Sequence, residues 1–86
     1  MKGIPENILK EHILKAMVVI DRDGIRPGRN STKHEVLYDK KRYPPKYLIS
    51  LANVYPNKEE LDPNPSWDAR KARNFLKTMK FTIVPR

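Results

Sequence analysis

The side chains best able to do chemistry in this 86-residue chain are cations. Eighteen lysines and arginines oppose ten acidic residues, and the formal net charge is +8. Such an excess favours a polyanionic partner, either nucleic acid or an anionic lipid surface. It is concentrated in two blocks: residues 22–46 hold 8 basic and 3 acidic residues, and residues 66–86 hold 6 and 1. Two separated basic blocks on so short a chain favour nucleic acid.

The first block supplies a loop, a hairpin tip and the start of a helix. Residues 26–33 combine cations with proline, glycine and short polar side chains, a composition typical of a loop that contacts phosphate. Arg26 and Arg29 strengthen this interpretation, because a guanidinium can bond phosphate or guanine through two parallel hydrogen bonds. The candidate contacts of this block are Arg26, Arg29, Asn30, Ser31, Thr32, Lys33, Lys40, Lys41, Arg42 and Lys46.

The second block is the clearest amphipathic helix in the chain. Its apolar residues recur at helical spacing from Ala69 to Met79, and at 100° per residue the polar residues cluster on the opposite side. Arginine and asparagine can read guanine and adenine edges. The candidates on this outer side are Arg70, Arg73, Asn74 and Lys77. Three rings, Tyr43, Tyr47 and Trp67, are candidates to stack on an extruded or modified base, with core packing as the commoner role for each.

A short central helix must position both blocks. Pro44 holds the residue before it in extended backbone, and Pro45 suits a first helical position, where its missing N–H loses no partner. Lys46 follows in the first turn, beside N–H groups that suit a phosphate; the alternative is a rigid elbow with a solvated lysine. The predicted buried face is Leu48, Leu51, Ala52 and Tyr55, and Pro56-Asn57 is expected to end the helix.

The flanking elements complete a small α+β domain. We predict a helix over residues 5–23 ended by Gly24 in the left-handed position, strands over 34–38 and 41–43 joined by a tight turn at Asp39-Lys40 or Lys40-Lys41, a last helix capped by Ser66, and a strand over 81–84. The predicted fold is three helices on a three-stranded antiparallel sheet, in the order α-β-β-α-α-β. We expect residues 1–86 to form one small DNA-binding module, and a position as the N-terminal part of a longer protein stays open.

Catalytic patterns are missing from the sequence. His12 and His34 fall in different predicted elements, the chain has no cysteine, and no phosphate-binding glycine loop or metalloprotease motif occurs. We therefore expect a non-catalytic protein with no metal site and no cofactor. No apolar run is long enough to span a membrane and no secretory leader is recognisable, so we expect a soluble, cytoplasmic protein without a membrane partner.

The central segment Tyr43-Pro44-Pro45-Lys46 and the closing segments Asn74-Phe75-Leu76 and Phe81-Thr82-Ile83-Val84 resemble the N-terminal head domain of modification-dependent, Mcr-type restriction endonucleases. The resemblance spans about residues 5–84. It implies DNA targeting in a restriction or defence system, a preference for methylated or otherwise modified DNA, and a nuclease or nucleotide-hydrolysing motor in a separate domain after these residues. The chain departs from the family at residues 66–69, where glycines are usual, and at Lys80, where glycine is usual.

Three functions remain open from the residues alone. The first is a DNA-binding module in which the loop, the hairpin tip and the outer side of the last helix share one surface. The second is binding of RNA or single-stranded nucleic acid through the same cations with aromatic stacking. The third is a protein-interaction domain whose basic faces meet an acidic partner.

Overall fold

The computed structural model describes residues 3–28, 33–62 and 67–86, and within them the predicted fold class is confirmed. The elements are α1 (Lys10–Asp23), β1 (His34–Tyr38), β2 (Lys41–Tyr43), α2 (Pro45–Ala52), α3 (Val54–Asn57), α4 (Ala69–Thr78) and β3 (Thr82–Pro85). Because α3 is a single turn that follows α2 directly, the order matches the predicted α-β-β-α-α-β. None of the described helices is long and apolar enough to cross a membrane.

The sheet is antiparallel and has the order β2-β1-β3. Asp39 and Lys40 form the hairpin turn with φ of +51° and +67°, the pair of positive values that matches the twist of the flanking strands. Val36 stands opposite Tyr43 on β2 and Ile83 on β3. These three side chains belong to the core or pack against it, so this face of the sheet carries the helices.

The second helix, α2, is the centre of the core. Pro45 occupies its first turn as predicted, after an extended Pro44. The helix is buried on almost every side, however, not on the single face that its apolar spacing suggested. Its polar groups are satisfied by the chain that follows: Ser50 Oγ donates to the carbonyl of Leu61 at 2.7 Å, and Asn53 Nδ2 donates to that of Glu59 at 2.8 Å. The connection after α3 therefore covers the side of α2 that we expected to face water.

Two boundaries of the first and central helices differ from the prediction. The first helix begins at Lys10 instead of residue 5, because the N–H of Leu9 donates to His12 Nδ1 at 2.8 Å and starts the helix there. The central helix α2 ends earlier than predicted, at Ala52, and Pro56-Asn57 instead closes the single turn α3, which ends at Asn57. Pro56 costs no hydrogen bond there, because it occupies the first turn. Tyr55, predicted to be buried, is 40% exposed.

The caps at the end of α1 and at the start of α4 can also be compared with the prediction. Gly24 has the predicted positive φ, +80°, and its N–H bonds the carbonyl of Ile20 at 2.8 Å; its ψ of −174° makes the exit extended instead of left-handed helical. Asp68 caps α4, where Ser66 was predicted; Ser66 itself lies outside the described residues.

Candidate nucleic-acid interface

The last helix, α4, has the two-sided character that its sequence predicts. Ala72 and Leu76 are fully buried against the core, and Phe75 and Met79 pack partly against it. The opposite side faces solvent: Arg70, Asn74 and Lys77 are exposed, and Arg73 is half-buried.

The charges on this outer side are not compensated. Within the described part of the chain, Arg70, Arg73 and Lys77 form no ion pair. Arg70 lies in the first turn, next to the positive end of the helix dipole, where a cation is unfavourable. Arg73 follows Arg70 by three residues and precedes Lys77 by four, and like charges at these spacings repel. A bound polyanion would relieve all of these unfavourable interactions at once.

Arg26, the first cation of the predicted loop at residues 26–33, differs from the α4 cations because it is already paired. Arg26 donates two hydrogen bonds to the Glu60 carboxylate, at 3.0 and 3.3 Å, and this contact raises the pKa of the Arg26 guanidinium. Lys33 is exposed just before β1, and its carbonyl accepts a bond from the N–H of Arg86 at 2.8 Å. Four other loop candidates lie outside the described residues: Arg29, Asn30, Ser31 and Thr32.

Two of the three hairpin-tip cations are also paired. Lys41 Nζ lies 3.2 Å from the Asp21 carboxylate on α1. Arg42 contacts Glu35 at 3.5 Å and donates to the carbonyl of Pro85 at 3.2 Å. Because Tyr43 faces the core, Arg42 lies on the other face of the sheet. Lys40 is exposed in the turn and has no ion-pair partner among the described residues.

Among the described cations, Arg26 of the loop and Lys41 of the hairpin tip do not share one surface. Lys41 and Asp21 share a hollow with Leu14, Met17 and Val18 of α1. A second hollow is lined by Arg26 and by a different pair of α1 residues, Val19 and Asp23. At 100° per residue the two sets on α1 are about 170° apart, so Arg26 and Lys41 lie on opposite sides of that helix.

The three candidate stacking rings are packed inside the molecule. Only 3% of Tyr43, 4% of Tyr47 and 1% of Trp67 is exposed, so none offers a ring face to a base in this conformation. Tyr43 donates its hydroxyl hydrogen to Asp21 at 2.9 Å, and Trp67 Nε1 donates to the carbonyl of Asp62 at 2.8 Å. In this conformation each ring therefore has the alternative, core role. Stacking on a base stays a prediction, and it requires the ring to leave the core.

The Lys46 ammonium group lies over one of these buried rings, Trp67. Its Nζ lies 4.9 Å from the centre of the Trp67 ring, a cation–π distance. The described structure thus places Lys46 against the ring and half-buried, instead of leaving it at an open phosphate site at the start of α2.

Two exposed cations outside the predicted set adjoin the α4 candidates: Lys71 within the helix and Lys80 after its end. Lys80 follows the end of the helix, and its N–H bonds the carbonyl of Lys77 at 2.9 Å. Helical periodicity could not have found it, because the residue lies beyond the last helical position. The only signal in the sequence is the excess of 6 basic over 1 acidic residue after position 65.

Other chemistry is not visible in the described residues. No group of three histidine, cysteine or acidic side chains in residues 3–28, 33–62 and 67–86 is placed to hold a metal ion. No protein-family model, curated protein or solved structure matches this chain.

Proposed function

We propose that this chain is a non-catalytic DNA-binding module that contacts duplex DNA through the outer side of α4. The observation that supports the proposal is the uncompensated positive strip of Arg70, Arg73 and Lys77, which lies opposite the buried Ala72 and Leu76. A helix about 10–12 Å in diameter fits the B-DNA major groove, which is about 12 Å wide.

The dimensions of the strip suit a duplex backbone. Arg70 and Lys77 are seven positions apart, a rise of about 10 Å along the helix axis. One strand of B-DNA carries a phosphate about every 3.4 Å along its axis, so the strip spans about three phosphate steps. Asn74 lies among these cations, with an amide able to pair with an adenine edge if the helix enters the groove.

Duplex DNA is favoured over the other nucleic acids on structural grounds. Binding of single strands uses exposed aromatic faces, and the three candidate rings are covered. Of the more exposed rings, Tyr55 stacks on His12 at 6.2 Å and Tyr38 packs edge-on against Phe81. Duplex RNA has a deep, narrow major groove that side chains cannot read. The outer side of α4 therefore fits B-form DNA best.

The biological setting that we propose comes from the short resemblance around Tyr43-Pro44-Pro45-Lys46. In that setting the module is the target-recognition domain of a modification-dependent restriction or defence protein, and the nuclease or motor is a separate domain. A preference for modified bases belongs to the same proposal. The three buried rings, Tyr43, Tyr47 and Trp67, do not form an open base pocket in this conformation, so the preference depends on the resemblance alone.

Fluorescence anisotropy tests the proposal with four labelled ligands of one sequence: duplex DNA, the same duplex with methylated cytosines, single-stranded DNA and duplex RNA. We expect the DNA duplexes to bind most tightly. With about three phosphate contacts, affinity should fall a few tens of fold between 50 and 200 mM salt. Absence of binding at 50 mM salt, or an affinity that does not change with salt, would contradict the proposal and favour an acidic protein partner.

A further inference from the structure

The C-terminus of α4 is a complete Schellman motif with a lysine in the glycine position. The N–H of Lys80 bonds the carbonyl of Lys77 at 2.9 Å, and the N–H of Phe81 bonds that of Leu76 at 3.2 Å. This pair of bonds requires a left-handed residue between helix and exit, and Lys80 has a φ of +72°. Leu76 and Phe81, the two apolar positions of the motif, are both buried in the core.

The left-handed backbone conformation at this position is unfavourable for lysine. Positive φ brings the Cβ of an L-residue close to the following carbonyl, and glycine avoids this contact. Lys80 is exposed, and among the described residues it has no acidic partner. Within the part of the chain that the structure describes, neither packing nor an ion pair therefore accounts for the Lys80 side chain.

The backbone of Lys80 lies at the C-terminal end of α4, the end of the helix that carries Lys77. Its N–H is bonded within the last turn, so its positive charge follows that of Lys77 at the C-terminal end of the helix. We infer that Lys80 is a DNA-phosphate contact that extends the α4 strip by one charge, kept despite its backbone cost. This inference rests on the proposed function and adds a specific residue to it.

The chain contains a matched control. Lys58 also has a left-handed φ, +67°, and is also exposed at the end of a helix, α3. It precedes the acidic residues Glu59, Glu60 and Asp62, and it belongs to the connection that packs over α2. Replacing either lysine by glycine removes the same charge, lowering the net charge from +8 to +7, and relieves the same backbone conformation.

The experiment compares Lys80→Gly with Lys58→Gly in thermal unfolding and in duplex-DNA anisotropy. Both variants should unfold about 3–5 °C higher, because glycine relieves the positive φ. Only Lys80→Gly should bind more weakly, about three- to tenfold at 100 mM salt, with the slope of log affinity against log salt reduced by about 0.9. Lys80→Arg keeps the charge and should bind like the wild type.

The outcomes separate this inference from the function on which it rests. Equal affinities of Lys80→Gly, Lys58→Gly and the wild type would overturn the role of Lys80. If the Arg70→Ala/Arg73→Ala variant nevertheless bound weakly, the proposed DNA-binding function would stand without Lys80. If the wild type showed no salt-dependent binding, the proposed function itself would fail.

Discussion

The carboxylate of Asp68 accepts a hydrogen bond from the backbone N–H of Lys71 at 2.9 Å and so caps the first turn of α4. Asp68 is also the only acidic residue after position 65. Because this carboxylate is bonded to the backbone, it does not pair with Arg70 or Arg73. The same residue thus stabilises the helix and leaves its outer side positively charged.

Loss of the cap should weaken α4 in a way that depends on pH. The bond from Lys71 N–H lowers the pKa of Asp68, so its contribution is complete above about pH 4 and is lost as pH falls through the lowered pKa. We expect Asp68→Ala to lower the melting temperature by a few degrees at pH 7, and the difference from the wild type to shrink towards pH 3. Asp68→Asn, which retains a capping oxygen, is the control.

A second prediction concerns the contact between β2 and α1. The pKa of Tyr43 is raised to about 12, mainly by burial and to a smaller extent by the hydrogen bond to Asp21. The folded state thus favours the neutral phenol, and this contribution is complete below about pH 10 and lost as pH rises towards 12. Tyr43→Phe should lower the free energy of unfolding by about 1 kcal/mol at pH 7. In this variant the free energy of unfolding should also fall less steeply as the pH rises above about 10. Urea unfolding at pH 7 and pH 10.5 measures both effects, and an unchanged alkaline dependence would argue against this assignment.

The hairpin turn gives a third prediction. Lys40 has a φ of +67° after Asp39 at +51°, and Asp-Gly is a preferred sequence for this turn. Lys40→Gly should therefore raise the free energy of unfolding by about 0.5–1 kcal/mol. Lys41→Gly makes the same chemical change one residue later, within β2, and should destabilise, because it weakens a strand and removes the contact with Asp21. Urea unfolding of the two variants checks the opposite signs.

The single tryptophan reports whether the buried rings become exposed on binding. Because Trp67 is 1% exposed, iodide should barely quench its fluorescence in the folded protein, and saturating duplex DNA should leave the emission nearly unchanged. Urea-unfolded protein provides the exposed reference. Strong quenching by DNA would indicate that the ring leaves the core to stack on a base.

Local stereochemistry made much of the fold predictable. Pro45 fixes the start of α2, because proline is suited to a first helical turn, and Gly24 marks the end of α1, because glycine tolerates its φ of +80°. The β-branched and aromatic residues within positions 34–38 and the polar turn after them indicate the hairpin. The outer side of α4 is predictable for the same reason, since a repeat of 3.6 residues separates its two faces.

Long-range contacts explain what sequence patterns could not predict. Ser50 is buried because the carbonyl of Leu61, eleven residues later, accepts its hydrogen bond. Arg26 is paired with Glu60, which is 34 residues away, and no local pattern connects the two. The ring type of Trp67 suits base stacking, yet the ring is buried and its Nε1 donates to the carbonyl of Asp62.

The salt dependence of duplex-DNA binding, measured for two double variants, tests the central claim most directly. Arg70→Ala/Arg73→Ala removes two charges from the α4 strip, and Arg22→Ala/Lys58→Ala removes two exposed charges from elsewhere. We expect the slope of log affinity against log salt to fall by about 1.8 for the α4 variant and to stay at the wild-type value for the control. Equal slopes for the two variants would contradict the assignment of the outer side of α4 as the DNA-binding surface.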